Sequence, residues 1–211
     1  MFNIKTYNYY SDSMIYKNRK MFESLSLRVG DELARLGLSA NHWTILSLLL
    51  ILVTFYFMAS GEFLYSAILL AITSFVDVID GAVARATKKA SAFGAYLDAT
   101  VDRIIEFVTV LGFLMIGYPD FILPMSVWLM SLLFSSVMIT FVKAAAFEKG
   151  LVKSELKGGL LEHPDRMLFF IAILLVSLYS LEIAAFLIVI MTILNITTAA
   201  QRFVIAIRGK A

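Results

Sequence analysis

Four aspartates, Asp77, Asp80, Asp98 and Asp102, stand at spacings suited to holding a hard cation. Asp77 and Asp80 are three residues apart and Asp98 and Asp102 four apart, so on helices each pair shares one face. The flanking sequence is apolar, where an ionised carboxylate costs about 2.5–3.5 kcal/mol at the centre of a membrane span and less near the interface. Something must offset that charge. No Lys, Arg or His occurs between Phe63 and Ala84, so pairing along the first of the two helices is closed, and Arg85 and Arg103 offset only part of it. Four converging carboxylates, without histidine or thiolate, form a hard oxygen site for Mg²⁺, Mn²⁺ or Ca²⁺ rather than zinc. They also suffice for two ions, which in two-metal sites sit roughly 3.5–4 Å apart. Gly81, Ala84 and Gly94 lie in the same stretch, where absent side chains admit a neighbouring helix or a substrate.

The elements that carry these residues belong in lipid. Of 211 residues 60% are hydrophobic and 16% charged, and the mean hydropathy is +0.85, values foreign to a soluble globule. Apolar stretches near 42–60, 63–79, 104–117, 121–142, 167–181 and 183–201 predict six membrane-spanning helices. Gly117 to Asp120 and the Ser180–Glu182 region predict tight hairpins. If the helices bearing the aspartates pack antiparallel across the Arg85–Phe93 turn, both pairs converge. With six spans, all 18 Lys and Arg fall on one face, and the opposite loops carry only Glu62, Asp120 and Glu182. The positive-inside rule then places both termini and the site in the cytoplasm, at a cell membrane.

The expected fold is therefore an all-α integral membrane protein forming one domain over 1–211, with a six-helix bundle over 42–207. Apolar residues recur at three- and four-residue steps over 13–38, among basic residues, and predict an amphipathic interfacial helix; a packed cap on the bundle fits the same pattern. Ser39 or Asn41 can cap the first span, and Trp43 can sit in the aromatic belt. The absence of cysteine excludes disulfides and thiolate sites. No internal repeat, nucleic-acid-binding motif or phosphate-cradling glycine loop is present. Gly112 and Gly117 read as packing or turn residues.

The run Asp77-x-x-Asp80-Gly81-x-x-Ala84-Arg85, eight residues, Gly94, three residues, Asp98, three residues, Asp102 resembles the CDP-alcohol phosphotransferase signature at every fixed position. The resemblance covers nearly the whole chain, since that family has six spans and an amphipathic N-terminal helix. It implies transfer of a phosphatidyl-type group from a CDP-activated lipid, CDP-diacylglycerol or CDP-archaeol, to an alcohol, with release of CMP. It implies two divalent metal ions, Mg²⁺ or Mn²⁺, on Asp77, Asp80, Asp98 and Asp102, with Asp102 also the general base. It assigns Asn41, Thr44, Gly81, Arg85 and Ser91 to the CDP-lipid, although Ser91 also fits a helix N-cap. Family members often form homodimers.

Lys143, Arg166 and Arg202 end or open three further spans and resemble the Lys and two Arg with which phosphatidylinositol phosphate synthases, and their archaetidyl counterparts, hold the phosphate of inositol phosphate. The Gly158-Gly159 approach and Glu162-x-Pro164-x-Arg166 resemble the same branch. Ala145 replaces an Arg usual there and His163 stands where Arg is more frequent, so glycerol phosphate stays open as acceptor, since any phosphorylated acceptor needs a cationic pocket. The three cations also fit interfacial anchors. A cation transporter would need paired broken helices from internal repeats, and a noncatalytic scaffold would show no preference for Asp over Asn.

Overall fold

A computed structural model describes residues 29–88, 91–152 and 159–208. Seven helices occur among them: α1 (29–34), α2 (Ala40–Ala59), α3 (Phe63–Ala86), α4 (Ala92–Ile116), α5 (Met125–Glu148), α6 (His163–Ser177) and α7 (Leu181–Arg208). The described residues form no β-strand, only an isolated bridge between Phe121 and Leu123.

Helix starts follow local chemistry. Ser39 is the N-cap of α2, and its backbone N–H donates to Nδ1 of His42 at 3.1 Å. Ser91 caps α4, its hydroxyl accepting from the Gly94 N–H at 3.0 Å. At α6 the Glu162 N–H donates to Asp165 at 2.9 Å, and Pro164 occupies the first turn, where a missing N–H costs nothing. Gly117 ends α4 in the left-handed region at φ 72°, which glycine adopts without a Cβ clash. The expected hairpin there is longer than the four residues read from sequence, because α5 begins only at Met125, whose N–H binds Asp120 at 2.7 Å.

Helix α2 is the common support: it packs against both α3 and α4. α3 also meets α6, α5 packs on α7, and α6 on α7. The two aspartate-bearing helices, α3 and α4, make no extended contact with each other among the described residues. This corrects the expected antiparallel packing of that pair: the aspartates reach across a gap held open by α2 and faced by α6.

The main core contains Ile51, Leu70, Phe113, Phe170 and Ile188, with the Phe113 and Phe170 rings edge to face at 5.5 Å. Met58 of α2 lies against Gly112 of α4, where an added Cβ would come within 2.6 Å of its sulfur. Trp43 is buried against Val76, Ile79 and Val83 of α3 rather than in an interfacial belt. Leu33 and Ala34 of α1 pack on this cluster, as a cap would; residues 13–28 of the expected interfacial helix lie outside the described residues. Large apolar side chains, including Leu49, Phe75, Phe134, Leu168 and Phe203, face outward.

Four helices, α2, α3, α5 and α7, are long and apolar enough to cross a membrane. The other two long helices fall outside that measure. α4 carries Asp98, Asp102, Arg103 and Glu106, and α6 has 15 residues, a length of about 22 Å at 1.5 Å per residue.

Candidate active site

The aspartates sit where α3 ends and α4 begins, on the same end of the bundle as the start of α6. Asp80 is buried, 4% exposed, and accepts a 2.5 Å hydrogen bond from the Thr44 hydroxyl of α2. That hydroxyl also lies 3.2 Å from the Ala40 carbonyl within α2. Asp102 accepts from Arg103 at 3.3 Å.

Carboxylate oxygens of Asp77, Asp80 and Asp98 lie within 4.8 Å of one another. A second group, Asp77, Asp102 and His163, meets the same limit. Asp77 is common to both. Its Oδ1 is buried with no hydrogen-bond partner, an acceptor whose burial costs free energy unless a cation or another donor reaches it. The donor set and this orphaned oxygen fit a divalent metal.

Beside the aspartates, an added Cβ on Gly94 would meet Ser91 Oγ at 3.2 Å and Asn41 Oδ1 at 3.3 Å, so these two side chains converge on the first turn of α4. An added Cβ on Gly81 would lie 3.1 Å from the Arg85 guanidinium, which folds back along α3. The residues assigned to the CDP-lipid are thus gathered around the aspartate gap: Thr44 on Asp80, Asn41 with Ser91, and Arg85 over Gly81.

A cavity of about 310 Å³ opens next to them and is lined by Lys143, Glu162, His163, Arg166 and Arg202, with Ile139, Thr140 and Pro164. The three cations singled out in the sequence therefore meet in one place. Two are tied down. Arg202 is buried, donates to the Ile139 carbonyl at 3.1 Å and lies 3.5 Å from Glu162. Arg166 is 1% exposed and donates through Nε at 3.1 Å and Nη2 at 2.5 Å to Glu106.

Glu106 is the residue that sequence reasoning missed. It is 1% exposed, and besides Arg166 it meets Nδ1 of His163 at 2.6 Å and Arg103 at 3.3 Å. A signal was available, since Glu106 continues the four-residue step of Asp98 and Asp102 along one face of α4. His163 was also read without a role, yet its ring joins the two halves of the site. It lines the cationic cavity while Nε2 lies 3.8 Å from Asp77 and 3.7 Å from Asp102. The expectation of a cluster without histidine is corrected accordingly.

Residues 38–208 match the family profile of CDP-alcohol phosphatidyltransferases. The chain is 29% identical over 162 residues to an archaetidylinositol phosphate synthase of Methanothermobacter thermautotrophicus, covering 77% of each protein. It is 33% identical over 123 residues to the enzyme of that name from Pyrococcus horikoshii, covering 50% of this chain and 65% of that one. The phosphatidylinositol phosphate synthase of Mycobacterium tuberculosis with CDP-DAG bound superposes with a TM-score of 0.75 at 25% identity, over 87% of this chain and 94% of that one. The same enzyme has been solved in complex with manganese and citrate.

Proposed function

Since this chain belongs to the CDP-alcohol phosphatidyltransferase family, we propose that it transfers a phosphatidyl-type group from CDP-diacylglycerol or CDP-archaeol to inositol 1-phosphate, releasing CMP. The observation that carries the reading is the meeting, through His163, of a four-aspartate gap and a cavity lined by Lys143, Arg166 and Arg202. The inositol phosphate acceptor also accords with the names borne by its relatives.

Asp77, Asp80, Asp98 and Asp102 would hold divalent metal, Mg²⁺ or Mn²⁺, which when bound offsets the charge of the pyrophosphate and of the departing CMP. Asn41, Thr44, Gly81, Arg85 and Ser91 bind the CDP moiety. Lys143, Arg166 and Arg202 hold the acceptor's phosphate, with Glu106 fixing the angle of the Arg166 fork. Asp102 takes the proton of the acceptor hydroxyl. The acceptor oxygen bonds to the lipid-bearing phosphorus, the bond from that phosphorus to the CMP oxygen breaks, and CMP leaves with the electron pair.

The chain works as one membrane domain of six spans with an N-terminal interfacial helix. The site and both termini face the cytoplasm, and two copies form a homodimer. The segregation of all 18 Lys and Arg to one face supports this orientation. A direct test supplies CDP-lipid and Mg²⁺ with inositol 1-phosphate, glycerol 3-phosphate or free inositol and measures CMP. Release with inositol 1-phosphate is expected; preference for glycerol 3-phosphate would reassign the acceptor, and no release with any would sink the reaction class.

A further inference from the structure

We propose that His163 is a metal ligand of this chain, binding through Nε2 the ion held by Asp77 and Asp102. The inference rests on the metal-dependent reading above and adds to it a nitrogen donor from a third helix. Glu106 already accepts from the guanidinium groups of Arg166 and Arg103, so it is an ionised carboxylate that can only accept. The 2.6 Å contact with His163 Nδ1 is therefore a donated N–H. In the neutral ring this puts the proton on Nδ1 and the lone pair on Nε2.

Nε2 lies 3.8 Å from Asp77 Oδ2 and 3.7 Å from Asp102 Oδ1. Both distances exceed hydrogen-bond reach. They fall within the separation of two donors on one ion, up to about 4.2 Å when each is 2.0–2.1 Å from it. The same carboxylate that faces Nε2 through Oδ2 has its other oxygen, Oδ1, buried with no hydrogen-bond partner. Carboxylate to Nδ1–H, with Nε2 turned toward acidic groups, is the arrangement by which a second carboxylate orients an imidazole for a metal and raises its basicity. α6 supplies the ring at its first residue, and the Glu162–Asp165 capping pair holds that turn in place.

The test uses the full-length chain in lipid nanodiscs with Mn²⁺, read by electron spin-echo modulation. The chain has two histidines, so a His42→Gln variant leaves His163 as the sole imidazole. Growth on ¹⁵N-histidine should convert the coupling of a directly bound imidazole from the ¹⁴N to the ¹⁵N pattern. In the His163→Gln variant that coupling should vanish and Mn²⁺ affinity fall about 10- to 100-fold, the scale of losing an ordered part of a metal site. Mn²⁺ bound tightly with no imidazole coupling overturns the proposal and leaves the aspartate site standing. No Mn²⁺ binding at all overturns the metal reading beneath it.

Discussion

Glu106 is the place where the buried electrostatics of this bundle can be measured. It and Arg166 are each 1% exposed and joined by bonds of 2.5 and 3.1 Å. Glu106→Gln keeps the shape but removes the charge, leaving the Arg166 guanidinium without a counter-ion in a low-dielectric interior. Breaking one side of a buried pair costs about 3–5 kcal/mol. At about 2–4 °C per kcal/mol for a chain of this size, that is a fall in Tm on the order of 6–20 °C. The assay is thermal unfolding in lipid nanodiscs for Glu106→Gln, Arg166→Met and the double variant. Because the uncompensated guanidinium is the source of the cost, the double variant should melt higher than the Glu106→Gln single, with a coupling of about 1–3 kcal/mol. A Glu106→Gln Tm within about 2 °C of the parent, or strictly additive losses, would refute the reasoning that these charges are desolvated and interdependent.

Asp102→Asn removes a proton acceptor but little volume, so CMP release should fall by roughly 10²- to 10⁴-fold while CDP-lipid binding measured by calorimetry is kept; full turnover would exclude it as the base. Gly159 has φ 125°, and an added Cβ would meet Thr198 at 2.6 Å. Gly159→Ala should therefore cost about 1–3 kcal/mol, seen as a lower Tm, because side chains rarely adopt that backbone region. Lys143→Gln removes one charge from the cationic cavity and should raise KM for inositol phosphate about 10- to 100-fold, the worth of a charged hydrogen bond. KM for the CDP-lipid should stay unchanged, and a change confined to the donor would place the acceptor elsewhere.

The aspartates were legible because their chemistry is local: three- and four-residue steps in apolar sequence leave few readings other than a metal. The all-helical architecture followed from apolar run lengths, and Ser91 and Gly117 announced their caps by residue type. Glu106 was not legible in the same way, since its partners His163 and Arg166 lie 57 and 60 residues away, and only tertiary packing turns an unremarked glutamate into the centre of a network. The gap between α3 and α4 was missed because a short turn suggests direct packing, whereas α2 claims the apolar faces of both. Trp43 fitted an interfacial belt by type, but cluster burial against α3 won.

The support given by α2 has a bearing on which ion the protein accepts. With α3 and α4 resting on α2 rather than on each other, the two aspartate pairs are spaced through α2, which meets α3 at Thr44 on Asp80 beside the site and α4 at Met58 on Gly112 toward the other end. Discrimination between Mg²⁺ and the larger Ca²⁺ depends on cavity size and rigidity. It is therefore written partly in a helix that supplies none of the four carboxylates, and exchanging side chains on α2's buried face offers a way to retune ion preference while every aspartate stays in place.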